Sequence, residues 1–384
     1  MSIYLDNSAT TKTCSQAIEA MLHYLQDEFY NPSSLYTPAM LVEKQINETK
    51  KTLLSSLKAN SEQLYFTSCG TESNNLAILG YLETLREPGD VLYTAAEHSA
   101  VKNACEASVK RYGMQTGIIP LKQDGTLNLE SLKNMLSLKT KLICVMHVSN
   151  ETGVIMPLSE VVNLRNQYAP QAAIHVDGVQ SYLRIPFDFS KSGIQSYAIS
   201  GHKIHAPKGI GALFVRKNVK LAPQFFGGGQ QENIRSGTEN VPGIIALREA
   251  VLAYSLEASK HMLNLKLDLL SRLTTALPNA TPLALPATHP DCASHILSIA
   301  FPPVRAETLL HALETHEIYV GTGSACASKK GKNSPVLTAM KLPNDLMESA
   351  IRISLCPENT LEEMAIVADA IIAQVTLLKR FHRR

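Results

Sequence analysis

Five polar clusters in this chain each follow directly on a short apolar run, and together they hold the side chains that covalent catalysis needs. The run at 64–67 leads into Ser68-Cys69-Gly70-Thr71-Glu72-Ser73-Asn74-Asn75, whose free N–H groups, glycine backbone and threonine hydroxyl suit a phosphate. Read alone, the same loop is a helix start capped by Thr71 or Ser68. The run at 91–94 leads into Glu97-His98, the run at 142–146 into a loop containing Asn150, the run at 173–176 into Asp177-Gly178-Val179-Gln180, and the run at 197–199 into Ser200-Gly201-His202-Lys203. A carboxylate directly after a buried strand is costly unless a cation partners it. A lysine at such a strand end is placed to form a Schiff base. A surface turn explains Lys203 taken singly, but not Lys203 together with Asp177 and His98. Pyridoxal phosphate asks for this set: a lysine for its aldehyde, an acid for its pyridinium nitrogen, a ring stacked on its face and an anchor for its phosphate.

These loops meet only if the apolar runs are neighbouring strands of one sheet, with ligands bound beyond the strands' carboxyl ends. The pattern supports this. Runs at 64–67, 91–94, 142–146, 173–176, 197–199 and 212–215 alternate with helical periodicity at 72–86, 100–112, 129–138 and 158–168, which predicts βαβ units and a mostly parallel sheet. A helical pattern from 241 to 277 leads to a proline-punctuated segment, then strands at 295–300 and 351–355 and a closing helix at 361–378. The fold expected is α/β: a large domain over 15–257 with a mostly parallel sheet flanked by helices, and a smaller α/β domain from 1–14 and 258–384.

Composition agrees with an enzyme and excludes other classes. The chain has 384 residues, 45% apolar, with 20 Gly and 19 Pro, so a disordered or fibrous protein is ruled out. Lys and Arg total 36 against 34 Asp and Glu, and a net charge of +2 gives no broad field for nucleic acid or acidic membrane. Tryptophan is absent and the 13 Tyr and 9 Phe are dispersed, so no aromatic platform for single strands is expected. Seven cysteines without a CxxC pair or a zinc-spaced cluster predict no disulfide framework and no metal, and fit a reducing cytoplasm. The start Met1-Ser2-Ile3-Tyr4-Leu5-Asp6 has no export pattern, and no apolar run reaches the length of a membrane span.

In order along the chain, Tyr4-Leu5-Asp6-Asn7-Ser8-Ala9-Thr10-Thr11, Gly70-Thr71-Glu72-Ser73, Glu97-His98, His147-Val148-Ser149-Asn150-Glu151, His175-Val176-Asp177-Gly178-Val179-Gln180, Ser200-Gly201-His202-Lys203, Arg235-Ser236-Gly237-Thr238 and Gly323-Ser324-Ala325-Cys326 resemble the signatures of NifS/IscS-type cysteine desulfurases. These are class V aminotransferases of the fold-type I pyridoxal phosphate group. The resemblance implies that Lys203 carries the cofactor, Asp177 holds its ring nitrogen protonated, His98 stacks on the ring and moves protons, and Gln180 donates to its phenolate oxygen. It further implies that Gly70, Thr71, Ser200 and His202 bind the phosphate, joined by Thr238 of a second subunit in a homodimer with shared active sites. Asn150 and Asn7 would lie on the substrate side. Arg352, one guanidinium between apolar strand residues, reads either as a bidentate grip on the carboxylate of L-cysteine or as an arginine lying outward on a half-exposed strand.

Cys326 lies among small and basic residues, Gly321 to Ser334, which predict a loop. The implied reaction takes sulfur from L-cysteine, releases L-alanine and leaves a persulfide on Cys326. An acceptor protein, either an iron–sulfur scaffold or a tRNA-thiolating enzyme, would then collect it. Cys105 and Cys144 read as core residues. The chain departs from the resembled pattern at Gly227-Gly228-Gly229-Gln230-Gln231-Glu232-Asn233, with an amide at 231 for an acid and an acid at 232 for a base. A selenocysteine lyase, or another class V enzyme, is the nearest alternative.

Overall fold

The computed structural model describes residues 2–255, 257–323 and 334–381. After a short strand, β1 (Ile3–Tyr4), come two helices that the sequence reading leaves unassigned, α1 (Ser15–Gln26) and α2 (Thr37–Ser56). Strands and helices then alternate as β2 (Gln63–Thr67), α3 (Gly70–Glu83), β3 (Asp90–Thr94), α4 (Ser99–Tyr112), β4 (Gln115–Ile119), α5 (Leu129–Met135), β5 (Thr140–Met146), α6 (Leu158–Tyr168) and β6 (Ala173–Asp177). Two further strands follow, β7 (Ser196–Ser200) and β8 (Gly211–Val215).

Seven strands form one sheet in the order β2-β8-β7-β6-β5-β3-β4. All run parallel except β8, which is antiparallel to both β2 and β7. Only residues 201–210 join β7 to β8, too few for a helical crossover, so the chain turns back on itself. β6, β7 and β8 are buried along their whole length, which explains their continuous apolar runs. Edge strand β4, largely exposed and carrying Gln115, Thr116 and Gly117, escapes that pattern. Because β2, β3, β5, β6 and β7 share a direction, the five polar loops end at one edge of the sheet.

The single helix expected over 241–277 is two, α7 (Val241–Ala253) and α8 (Ala258–Ala276), with Tyr254 extended after the first. Ser255 Oγ accepts the Glu257 N–H at 3.2 Å, a local turn that competes with helical hydrogen bonds. The break divides two cores. α7 buries Ile244 and Leu247 with the large sheet, whereas α8 buries Met262, Leu265 and Leu269 in a second cluster that includes Ile3 and Leu5.

The rest of the described chain comprises β9 (Thr281–Pro282), β10 (Ile296–Ala300), α9 (Ala306–Glu314), β11 (Ile318–Tyr319), α10 (Pro335–Ala339), α11 (Asn344–Glu348), β12 (Ala350–Ser354) and α12 (Leu361–Phe381). Of these, α9, β12 and α12 build around this second cluster, whereas α10 and α11 set Val336, Leu337 and Leu346 against the first. β12, β10 and β9 pair antiparallel, and β1 pairs parallel with β11. That last pairing carries the residues after β1 across to the large sheet, where Thr11 N–H reaches His202 O at 2.8 Å.

Candidate active site

Chain passes from β2 into α3 through Cys69, an extended N-cap with no side-chain capping bond. Neither Ser68 nor Thr71 caps this helix, so its first-turn N–H groups are left for an anion. Gly70 is required by space: a Cβ there would lie 2.8 Å from Val179 Cγ2 and 3.3 Å from Ser200 Cβ. Beside it, Ser200 Oγ is buried without a hydrogen-bond partner. His202 Nδ1 lies 3.1 Å from Thr10 Oγ1, and burial, with Lys203 and Lys208 nearby, lowers the imidazole to about 4. It is neutral at physiological pH.

Asp177 ends β6. Its Oδ2 accepts from Asn74 Nδ2 at 2.8 Å and its Oδ1 from the Val179 N–H at 3.0 Å. Asn74 Oδ1 faces His175 Nε2 at 2.9 Å, and His175 Nδ1 faces Ser196 Oγ at 2.8 Å. Because Asn74 Nδ2 donates, its Oδ1 accepts; this assigns the His175 proton to Nε2 and makes Ser196 a donor. Burial lowers His175 to about 3, so the whole chain is neutral and every donor in it points toward Asp177.

Lys203 follows β7, and its Nζ donates to Ser8 O at 2.5 Å and Ala9 O at 2.7 Å. Burial, reinforced by Arg352 and Arg184, lowers this amine to about 7. Gln180 Nε2 donates to Ser8 O at 2.9 Å, and its Oε1 is buried without a partner. His98 caps α4 by accepting the Ala100 N–H on Nδ1 at 3.1 Å, which leaves the proton of the neutral ring on Nε2.

Arg352, in the middle of β12, is 2% exposed and does not lie outward. Its Nη1 donates to Asn150 O at 2.9 Å and its Nη2 to Asp6 Oδ1 at 2.7 Å, while Nε is buried without a partner. The resulting cavity of about 290 Å³ is lined by Gly70, Thr71, His98, Asn150, Asp177, Gln180, Ser200, His202, Lys203 and Arg352.

Three expected residues stand apart. Asn7 is buried, and its amide donates to Ser354 O at 2.9 Å and Tyr4 O at 3.2 Å, fastening the N-terminal segment to β12 instead of lining the cavity. Thr238 lines a separate crevice with Ser68, Gln231 and Arg235. Cys326 lies outside the described residues. The flanks of segment 324–333 nevertheless meet at Glu151: Ser334 Oγ donates to Glu151 Oε2, and a Cβ on Gly323 would sit 3.4 Å from that same oxygen.

Sequence reading missed Asn74, Met146, Ser8 and Ala9, which line the cavity together with Cys69, a residue that the sequence sets beside the phosphate loop. Asn74 was within reach, since it lies four residues after Gly70 and therefore on the same helical face. Ser8 and Ala9 act through backbone carbonyls, which no side-chain pattern reveals.

The class V aminotransferase family model matches residues 3–367. The chain belongs to the class V aminotransferases. Among curated relatives, cysteine desulfurase 2 of Trichormus variabilis is 37% identical over 365 residues, covering 94% of this chain and 90% of that protein. Cysteine desulfurase IscS of Methanosarcina thermophila is 36% identical, over 96% of this chain and 91% of its own length. A solved NifS-like protein superposes with a TM-score of 0.91 at 31% identity, over 98% of this chain and 100% of that one.

Within this class V chain the altered 230–233 segment has a local reason. Gln231 Nε2 donates to Phe66 O at 2.9 Å and its Oε1 accepts the Phe66 N–H at 2.6 Å, so the amide serves edge strand β2 as a neighbouring strand would. A carboxylate has no N–H for the first of these bonds.

Proposed function

We propose that the protein is a pyridoxal phosphate-dependent cysteine desulfurase: L-cysteine and the Cys326 thiol give L-alanine and a persulfide on Cys326. The observation carrying this reading is a buried amine, Lys203, that shares one cavity with the Asp177 carboxylate and the uncapped start of α3. The residues fit the cofactor. The uncapped start of α3 at Gly70 and the unpartnered Ser200 hydroxyl suit its phosphate, with Thr71 and His202, and the Asp177 carboxylate suits a protonated ring nitrogen. Pyridoxal phosphate, when bound, supplies an aldehyde for an amine and a ring that draws electrons from the substrate Cα.

The chain's own groups do the rest. Arg352, its Nε still unpartnered, holds the substrate carboxylate beside Asn150, so the fork fixes which Cα bond is activated. Lys203 as a free amine takes the Cα proton, and His98 handles a second proton through Nε2. The Cys326 thiolate attacks the substrate sulfur, the Cβ–S bond breaks, and Cβ gains a proton to give alanine.

The chain divides into a large domain over 15–257 and a smaller one from 1–14 and 258–384, a reading supported by the second core, whose members all fall in the smaller domain. Ile18, Leu22 and Leu25 on α1, Met40 and Leu41 on α2, and Leu35, 94% exposed, are exposed apolar side chains that a second copy of this chain would cover. Across such a homodimer Thr238 would complete the partner's phosphate site. The persulfide would pass to an acceptor protein, an iron–sulfur scaffold or a tRNA-thiolating enzyme, in a reducing cytoplasm. Among the described residues no helix is long and apolar enough to cross a membrane.

Incubation with L-cysteine and dithiothreitol is expected to release alanine and sulfide in equal amounts without an added keto acid. Pyruvate and ammonia in place of alanine would overturn the reading, and turnover confined to selenocysteine would favour a selenocysteine lyase. Arg352→Lys keeps the charge but loses the fork, removing about 2–3 kcal/mol of charged hydrogen bonding. Initial rates of alanine formation are expected to give a KM for cysteine about a hundredfold higher, with kcat within about tenfold of native.

A further inference from the structure

Away from the cavity, α8 carries a lysine into the second core. Lys266 is 1% exposed, and its Nζ has two acceptors: Ala293 O at 2.8 Å and Cys292 Sγ at 3.2 Å. Among the described residues no carboxylate bonds to it. An ammonium stripped of water and offered only neutral acceptors is strongly disfavoured, and the one anion these surroundings provide is the thiolate of Cys292.

We propose that Lys266 and Cys292 form an ammonium–thiolate pair, and that Cys292 is a modification site for small electrophiles and peroxides, separate from the active-site cavity. Cys292 is half-buried. With a peroxide, the Cys292 sulfur loses two electrons as the S–O bond forms and the O–O bond breaks. For hydrogen peroxide the products are a sulfenic acid and water, the departing oxygen taking its proton from the Lys266 ammonium, which becomes an amine.

The surroundings leave this pair in control of its own charge. Burial lowers Lys266, and the adjacent Cys292 opposes that fall. His295, buried with both ring nitrogens unpartnered, is held well below its ordinary range by burial, Arg184 and Lys266, and stays neutral. On the exposed side Asp291 and His289 face each other at 3.8 Å. The flanking backbone connects the pair to the cavity: Asp291 O accepts the Ile155 N–H and Ala293 N–H donates to Gly153 O, both at 2.8 Å, and 153–155 continue the loop that holds Asn150.

The test is iodoacetamide labelling of the full chain loaded with pyridoxal phosphate, at graded pH, with the rate at each cysteine read by peptide mass mapping. At pH 7 an ordinary thiol is roughly 3% ionised and gains nearly tenfold per pH unit. Cys292 is expected to react at least ten times faster than the similarly half-buried Cys14, and to change less than threefold between pH 6.5 and 8.5. Lys266→Met is expected to slow it about tenfold or more and restore the steep pH dependence. A native Cys292 rate that matches that of Cys14, or that climbs with pH as an ordinary thiol does, overturns the proposal without need of a variant.

Discussion

Replacing Lys203 by alanine is expected to abolish the visible absorbance of lysine-linked pyridoxal phosphate and to lower alanine formation from cysteine by about 10⁴-fold or more. The magnitude follows from what burial does to this amine. A lysine of ordinary value near 10.4 is neutral in roughly one molecule in 2,500 at pH 7, whereas Lys203, lowered to about 7, is neutral in about half. Burial is the main cause; the charges of Arg352 and Arg184 add to it, and Asp6 and Asp177 offset part of it. Lys203 is therefore about a thousandfold richer in reactive amine than an exposed lysine, which is why a neighbouring lysine is not expected to substitute for it.

The sign of the pH dependence is fixed by the same shift. Below pH 7 the amine gains a proton, so capture of pyridoxal phosphate by the cofactor-free protein is expected to slow about tenfold per unit below pH 6 and to level off above pH 8. A lysine with its ordinary value would keep gaining until about pH 10. Lys203→Arg, which retains a cation but forms no Schiff base, separates loss of chemistry from loss of fold. An unchanged spectrum in Lys203→Ala would remove the cofactor assignment.

Legibility of this chain tracked burial. Strands β6, β7 and β8, covered on both faces, are unbroken apolar runs, and their order exposed Asp177, Ser200 and Lys203 as strand-end residues. Strand β4 was hidden because its edge position tolerates Gln115 and Gly117. Helix α1, which packs on α7, leaves Ile18, Leu22 and Leu25 in solvent, so its apolar residues mark two faces and blur the periodicity. The break between α7 and α8 depends on Ser255 bonding to Glu257 and on which core each half joins, information that lies in tertiary contacts and not in the local pattern. Within the cavity, side chains that do chemistry were legible from position, and Asn74, which orients Asp177, was within reach on the helical face of Gly70, whereas the Ser8 and Ala9 carbonyls, which hold Lys203, emerge only from geometry.

Cys326→Ser is expected to abolish persulfide formation and to lower sulfide release from cysteine by about 10³-fold or more, because a serine hydroxyl is a poor nucleophile at neutral pH and forms no sulfur–sulfur bond. The competing candidate is Cys69, which among the described cysteines is the one that lines the cavity. Cys69 is fixed as the N-cap of α3, immediately before Gly70, and delivering sulfur to a partner from there would require unwinding the phosphate site. Cys326 has the better connection. Gly321 and Arg352 exchange two backbone hydrogen bonds, of 2.9 and 2.7 Å, so the chain leaves for Cys326 directly from the residue proposed to hold the substrate carboxylate. Ser334, where the described chain resumes, donates to Glu151, next to Asn150. Intact-mass analysis after cysteine treatment is therefore expected to find added sulfur in the native protein and in Cys69→Ser, and none in Cys326→Ser. Sulfur retained in Cys326→Ser and lost in Cys69→Ser would move the nucleophile to the start of α3.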